Sequence, residues 1–132
     1  MDRPQLSEEE RRLFEPPNHA VLATLRPGGS IQVTPVWVGL EGDRVVVNSV
    51  RGRAKVRNVE RDPRVTVTVM DERDWYRWVS VEGTVVELSE EGAAEHIDRV
   101  SRAYEGKPFR ALAPGEVRVR LVIEPERVSS EL

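Results

Sequence analysis

Six basic residues stand within Asn48–Val65, "NSVRGRAKVRNVERDPRV": Arg51, Arg53, Lys55, Arg57, Arg61 and Arg64, with Arg44 just upstream. The chain as a whole is mildly acidic, with 20 Lys+Arg against 23 Asp+Glu and a formal charge of -3. Cations gathered into one corner of an acidic protein direct attention to an anionic ligand. Asn48 and Ser49 close a β-rich segment, and a stretch compatible with a short helix follows and ends before Pro63. Arg53 and Lys55 fall at the start of that helix, where backbone N–H groups lack intrahelical partners and carry partial positive charge. Arg supplies a planar fork for phosphate oxygens and Lys a mobile point charge, while Asn48 and Ser49 can add hydrogen bonds. Together they read as a phosphate cradle. It is neither a Walker loop nor a GxGxxG fingerprint. The plainer reading is a solvated helix face whose arginines pair with Glu60 and Asp62.

Other chemistries find less support. There are no cysteines, which removes disulfides, thiol catalysis and thiolate metal sites. His19 and His96 are the only histidines, far apart and without carboxylates at ligand spacing, so no metal site is expected. No Ser-His-Asp or GxSxG arrangement is present. The negative net charge and interleaved acids argue against a nucleic-acid face. No apolar run approaches the ~20 residues that cross a bilayer. "MDRPQLSEEERR" lacks the apolar region of a signal peptide, and a cytoplasmic location is expected.

The elements that must position the cradle read as follows. Residues 1–132 fit one domain. Ser7 and Glu10 form a capping box that opens a short helix, stopped by Pro16 and Pro17. The turns "RPGG" and "LEGD" cut the next segment into three β-rich runs, His19–Leu25, Ser30–Val38 and Arg44–Val50, expected to form an antiparallel meander. Pro35 within the second run points to an edge or a bulge. "RVTVTVMD" and "YRWVSVEGTVVEL" are further strands, the latter bent at Gly83. Ser89 is placed as the cap of a helix that buries Ala93, Ile97, Val100 and Tyr104 and closes at Gly106. "GEVRVRLVIEPERV" is the last strand, with Arg118 and Arg120 expected to face solvent or, as the alternative, to contribute to an anionic tail site. About six antiparallel strands with two or three short helices give a mainly β fold, a barrel or strongly twisted sheet. Trp75, Tyr76 and Trp78 cluster the aromatics, which are expected to pack within the protein or against a partner chain, or to stack on a planar ligand.

The run "DRVVVNSVRGRAKVRNVERDPRVTVTV" resembles the core motif of the split-barrel flavin-binding superfamily that contains pyridoxamine 5'-phosphate oxidase. Its pattern is a strand ending in a small hydroxyl residue, a basic pair, a short helix, then "DPRV" opening the next strand. Arg53–Val65 is most similar to the deazaflavin-dependent branch, which uses coenzyme F(420) and whose loop reads R-A-K-x-R-N-x-x-x-D-P-R-V. Upstream, "HAVLATLRPGGSIQVTPVWV" also resembles that family. The likeness covers residues 6–88 and is weaker over the last third.

The resemblance implies a split β-barrel that works as a homodimer, with the coenzyme in a groove at the dimer interface. By motif position, Arg53 and Lys55 would hold the coenzyme phosphate, Asn48 and Ser49 would line the groove, and Arg57 would be a weaker phosphate or tail contact. Thr34, Pro35, Val36 and Trp37 would flank the ring. The activity implied is hydride transfer from the reduced deazaflavin to a small conjugated acceptor, with no catalytic residue assigned on the protein. The alternatives are an FMN-binding oxidase or reductase of the same fold, and a non-catalytic module that holds a coenzyme or tetrapyrrole. The chain is short for a pyridoxamine phosphate oxidase proper and lacks that enzyme's R-x-H substrate segment.

Overall fold

The structure, a computed structural model, describes residues 4–132. In chain order the elements are α1 (Glu8–Leu13), β1 (Ala20–Leu25), β2 (Ile31–Val36), β3 (Gly39–Glu41), β4 (Arg44–Val50), α2 (Ala54–Arg61), β5 (Arg64–Asp71), β6 (Asp74–Ser89), α3 (Ala93–Glu105) and β7 (Arg118–Glu131). Seven strands form one sheet in the order β2-β1-β5-β6-β7-β4-β3, and every neighbouring pair is antiparallel.

The sheet bends along β6 and β7. These two long strands pair from Trp78↔Glu131 to Ser89↔Arg120, with register shifts at Glu82/Gly83 and Val85/Glu87. Each shift adds local twist and lets the two ends of the sheet curl around one core. Gly83 is required at the first bend, because a Cβ there would overlap the carbonyl oxygen of Glu124. Alternating valines supply the core: Val65, Val67 and Val69 on β5 face Val79 and Val81 on β6, with Leu121 and Ile123 from β7. Val45, Val46 and Val47 are all buried, since β4 has the barrel core on one side and α3 on the other.

The capping box forms as its sequence pattern requires. The Ser7 side chain accepts from the Glu10 N–H and Glu10 accepts from the Ser7 N–H at 2.8 Å. The buried Glu10 carboxylate also receives the Ser130 hydroxyl at 2.6 Å, which ties α1 to the end of β7. Pro35 lies on an edge strand, where its missing N–H breaks no ladder.

Three expectations are corrected. The runs before Val50 are not a simple meander. β1 and β2 pair, but Arg44–Val50 pairs with β7 and with the short extra strand β3. The "LEGD" turn closes a three-residue hairpin, and the chain leaves β2 at Trp37–Val38. The sheet therefore has seven strands rather than about six. Ser89 does not cap α3; it is the last residue of β6, and Gly92 holds the cap position at φ 70° with no side-chain bond. Glycine adopts that left-handed conformation without a Cβ clash.

Replacing Gly83 by alanine is expected to destabilise the fold by about 2–3 kcal/mol, the cost of forcing a methyl group into a packed backbone. Chemical denaturation of the purified variant measures it, and an unchanged midpoint would contradict the close approach of β6 to β7.

Candidate functional site

The basic residues of the opening motif divide into two groups. Arg51 donates to Glu90 at 2.9 Å and to Glu60 at 3.0 Å. Arg61 bonds the Leu25 carbonyl and Asn58, and Arg64 forms a two-pronged pair with Asp62. Arg44 pairs with Glu124 at 2.7 Å. Arg51, Arg64 and Arg44 follow the plain reading of a salt-bridged surface, although Arg44, and Arg51 through Glu90, reach partners outside α2; Arg61 is held by neutral oxygens instead. Arg53, Lys55 and Arg57 have no ion pair among the described residues.

Arg53 and Lys55 open a cavity of about 210 Å³ between β2, β4, α2 and α3. Its walls hold Pro35, Val36 and Trp37 from the end of β2, and Asn48 and Ser49 from β4. Seven of the nine residues anticipated for the site are thus brought together. Arg57 is exposed one turn along α2 and does not line the cavity. Thr34 lies on the opposite side of β2 from Pro35, sharing its face with Gln32 and Val36. Its Oγ1 is the one buried side-chain polar atom without a hydrogen-bond partner among the described residues.

Lys55 is the unusual member. It is only 9 % exposed, and Arg53 and Arg118 stand nearby in place of a carboxylate. Burial first, then the two guanidinium charges, hold its ammonium below the ordinary lysine range. A helix start adds to the same field: α2 begins at Ala54 with Arg53 as its cap and no side-chain capping bond. An arrangement that concentrates positive charge in a partly desolvated recess fits an anion.

The sequence reading missed the far wall. Arg118 does not face solvent: its side chain is 9 % exposed and donates to Asn48 Oδ1 at 2.9 Å and to Glu116 at 2.9 Å. Arg120 is also withdrawn, bonded to Glu41 and Glu87. Antiparallel pairing of β4 with β7 sets Val50 opposite Arg118 and Asn48 opposite Arg120, which turns these arginines onto the face that α3 covers. The segment after α3 completes the wall. Phe109 is flanked by the Arg110 and Arg118 guanidiniums, 4.8 and 5.0 Å from its ring centre. Glu116 bridges both arginines; chiefly its bonds from Arg110 hold its carboxyl at about 2.

Asn48 is fully engaged. Its amide nitrogen donates to the Ala93 carbonyl and reaches His96 Nδ1, both at 2.9 Å, while its oxygen accepts from Arg118. It therefore fixes α3 and Arg118 relative to β4 and leaves no amide proton for a ligand. Trp37 stacks on Tyr104 with ring centres 5.4 Å apart and planes 11° apart. Its indole N–H donates to His19 at 3.2 Å. Tyr104 donates its hydroxyl to the Asn18 carbonyl at 2.6 Å and accepts from the Val38 N–H. Asn58 is also buried and locks α2 to the sheet through Thr24 and Gln32. None of His96, Phe109, Arg110 or Arg118 carries a local sequence signal, because each joins the site through pairing with distant residues.

Trp75 and Tyr76 do not pack within the chain. They are 74 % and 89 % exposed on the β5–β6 hairpin, with Trp78 half-buried behind them. No group of three His, Asp or Glu side chains among the described residues is placed to hold a metal ion. No described helix is long and apolar enough to cross a membrane.

Comparison with known proteins places this architecture. No curated protein matches the chain. Among solved structures, an F420 reductase superposes with a TM-score of 0.84 at 28% identity, covering 94% of this chain and 98% of its own. A conserved hypothetical protein from Mycobacterium tuberculosis gives 0.75 at 26% identity, over 98% of this chain and 88% of its own. HupZ from Group A Streptococcus shares the fold at 0.70 and 20% identity, over 95% of this chain and 93% of its own. The sequence pattern of the pyridoxamine 5'-phosphate oxidase family matches residues 6–131. Nearly the whole chain is spanned by that match, and the bent antiparallel sheet agrees with it: the chain belongs to the pyridoxamine 5'-phosphate oxidase-like split-barrel family.

Proposed function

We propose that the chain is an oxidoreductase that binds a deazaflavin coenzyme of the F(420) type and passes hydride to a small conjugated acceptor. The observation that carries this reading is the buried Lys55 beside Arg53 and Arg118 with no carboxylate of its own. Similarity to an F420 reductase over 94% of this chain supports the choice of coenzyme.

The donor set fits a phosphorylated coenzyme. Arg53 and Lys55 bind the phosphate, the first as a fork and the second as a point charge. Ser49 lines the recess, and exposed Arg57 meets the more distant anionic part of the ligand. Pro35, Val36 and Trp37 form the rigid wall for the ring, and the Trp37–Tyr104 stack holds the indole in place. Hydride chemistry belongs to the coenzyme when it is bound, and the protein contributes binding, orientation and electrostatics. We further propose a homodimer. Trp75 and Tyr76 are large aromatic side chains in solvent, a pattern that suits burial against a second copy.

Fluorescence titration of the purified protein with coenzyme F(420) and with FMN, under identical conditions, tests the reading. Saturable binding that favours F(420) is expected; preference for FMN would move the protein to the flavin reading of the same fold, and binding of neither would overturn the cofactor site. Lys55→Ala is expected to weaken coenzyme binding by about 1–3 kcal/mol, the scale of a hydrogen bond to a charged group. The pH dependence has a definite sign. Lys55 must be protonated to attract an anion, and its proton leaves below the ordinary 10.5. Affinity should therefore fall as pH rises toward that value, and Lys55→Arg, which stays charged, should flatten the profile. An equally steep profile in the variant would remove Lys55 from the site. Sedimentation velocity is expected to give a dimer, weakened in Trp75→Ala with Tyr76→Ala; a monomer at micromolar protein would refute the assembly.

A further inference from the structure

A second and larger cavity, about 620 Å³, adjoins the cradle. The two share Val46, His96 and Val100 in their walls. Phe14, Val38, Leu40, Ala103 and the Tyr104 ring give it an apolar side; Glu15, Glu41, Glu95, Arg99 and Arg120 also line it, with Arg120 already bonded to Glu41 and Glu87. A cavity of this size accepts a two-ring organic molecule, and its polar groups decide which one.

His96 supplies a polar group whose protonation can be deduced from its neighbours. Asn48 cannot be turned round, because its nitrogen faces the Ala93 carbonyl and its oxygen faces the Arg118 guanidinium. The Asn48 nitrogen is thus the donor to His96 Nδ1, which must be an unprotonated acceptor. Burial, then the charge of Arg120, holds the imidazole neutral, lowering its pKa to about 4. The remaining proton sits on Nε2. That nitrogen has no hydrogen-bond partner among the described residues, and the ring lines both cavities. The ring itself is buried, so its free N–H is held by the fold rather than by side-chain rotation.

We propose that this cavity is a binding site for a flat, largely apolar molecule carrying a carbonyl-type oxygen, and that His96 Nε2–H donates to that oxygen. Identifying the molecule as the acceptor rests on the hydride-transfer reading; the binding site does not. In that reaction, when a carbon of the conjugated carbonyl takes up hydride, an electron pair moves onto the oxygen. Nε2–H stabilises the developing charge, and water supplies the proton. The neutral imidazole keeps its own proton throughout.

The test pairs 2-acetylnaphthalene with 2-isopropenylnaphthalene, in which a =CH2 group replaces the carbonyl oxygen and the branch stays trigonal. Both are titrated into the purified protein without coenzyme, so failure here is separate from failure of coenzyme binding. Wild type should bind the ketone roughly five- to ten-fold more tightly, the worth of one hydrogen bond. His96→Phe should remove that preference while retaining the hydrocarbon, and His96→Gln, which can still donate, should restore part of it. Equal binding by wild type, or a preference that survives His96→Phe, would overturn the proposal. A measurement on wild type alone covers failure of the variants to fold. The ¹⁵N spectrum should show His96 protonated at Nε2, with that signal moving on addition of the ketone and not of the hydrocarbon. The opposite tautomer, or a signal that does not move, would equally refute it.

Discussion

The site depends on a charge imbalance that the fold enforces. Lys55, Arg53 and Arg118 are brought together in a recess without a carboxylate for Lys55, although the chain carries more acids than bases. Bringing like charges together and removing one of them from water opposes folding. The surrounding structure must hold this arrangement, and much of the architecture can be read as the means. Pairing of β4 with β7 withdraws Arg118 from solvent, Glu116 and Asn48 fix its guanidinium, and Asn58 anchors α2 so that its first turn faces the cavity. An anionic ligand then meets a field already organised for it, with little rearrangement required.

The same pairing links two cavities. Asn48 touches α3 through Ala93 and His96 and touches β7 through Arg118, so one amide positions both the cation wall and the imidazole. Trp37 and Tyr104 make a second partition, stacked face to face and held by His19 and Asn18. The arrangement sets a small cation-lined compartment beside a larger one of mixed apolar and charged lining, with shared walls at Val46, His96 and Val100. Under the proposed function, a phosphorylated coenzyme and its acceptor would meet at those shared walls.

What was legible in the sequence was local. The Ser7–Glu10 box, the edge position of Pro35, the bend at Gly83 and the helix after Arg53 follow from capping, missing donors, close backbone approach and periodicity. Asn48, Ser49, Arg53 and Lys55 follow from residue type and position, and Pro35, Val36 and Trp37 from motif resemblance; these seven line one cavity, whereas Thr34 and Arg57 do not. What was not legible depends on separation along the chain. Arg118 reads as a solvent-facing strand residue until β7 is laid beside β4, seventy positions away from Asn48. His96 reads as an isolated helix residue until Asn48 fixes its tautomer. Ser89 looked like a helix cap because residue preference favours serine there, but strand pairing with Arg120 extended β6 through it and left the turn to Gly92.

The most direct test of the central claim is the titration of Lys55 by NMR of isotopically labelled lysine side chains. Lys107 is the only other lysine and lies exposed after α3, so the two signals are separable and one serves as an internal reference. The account predicts that Lys55 loses its proton below the ordinary 10.5, and that inorganic phosphate raises its midpoint while leaving Lys107 unchanged. A Lys55 midpoint at or above 10.5, unmoved by phosphate, would contradict the account, because the ammonium would then be an ordinary surface charge.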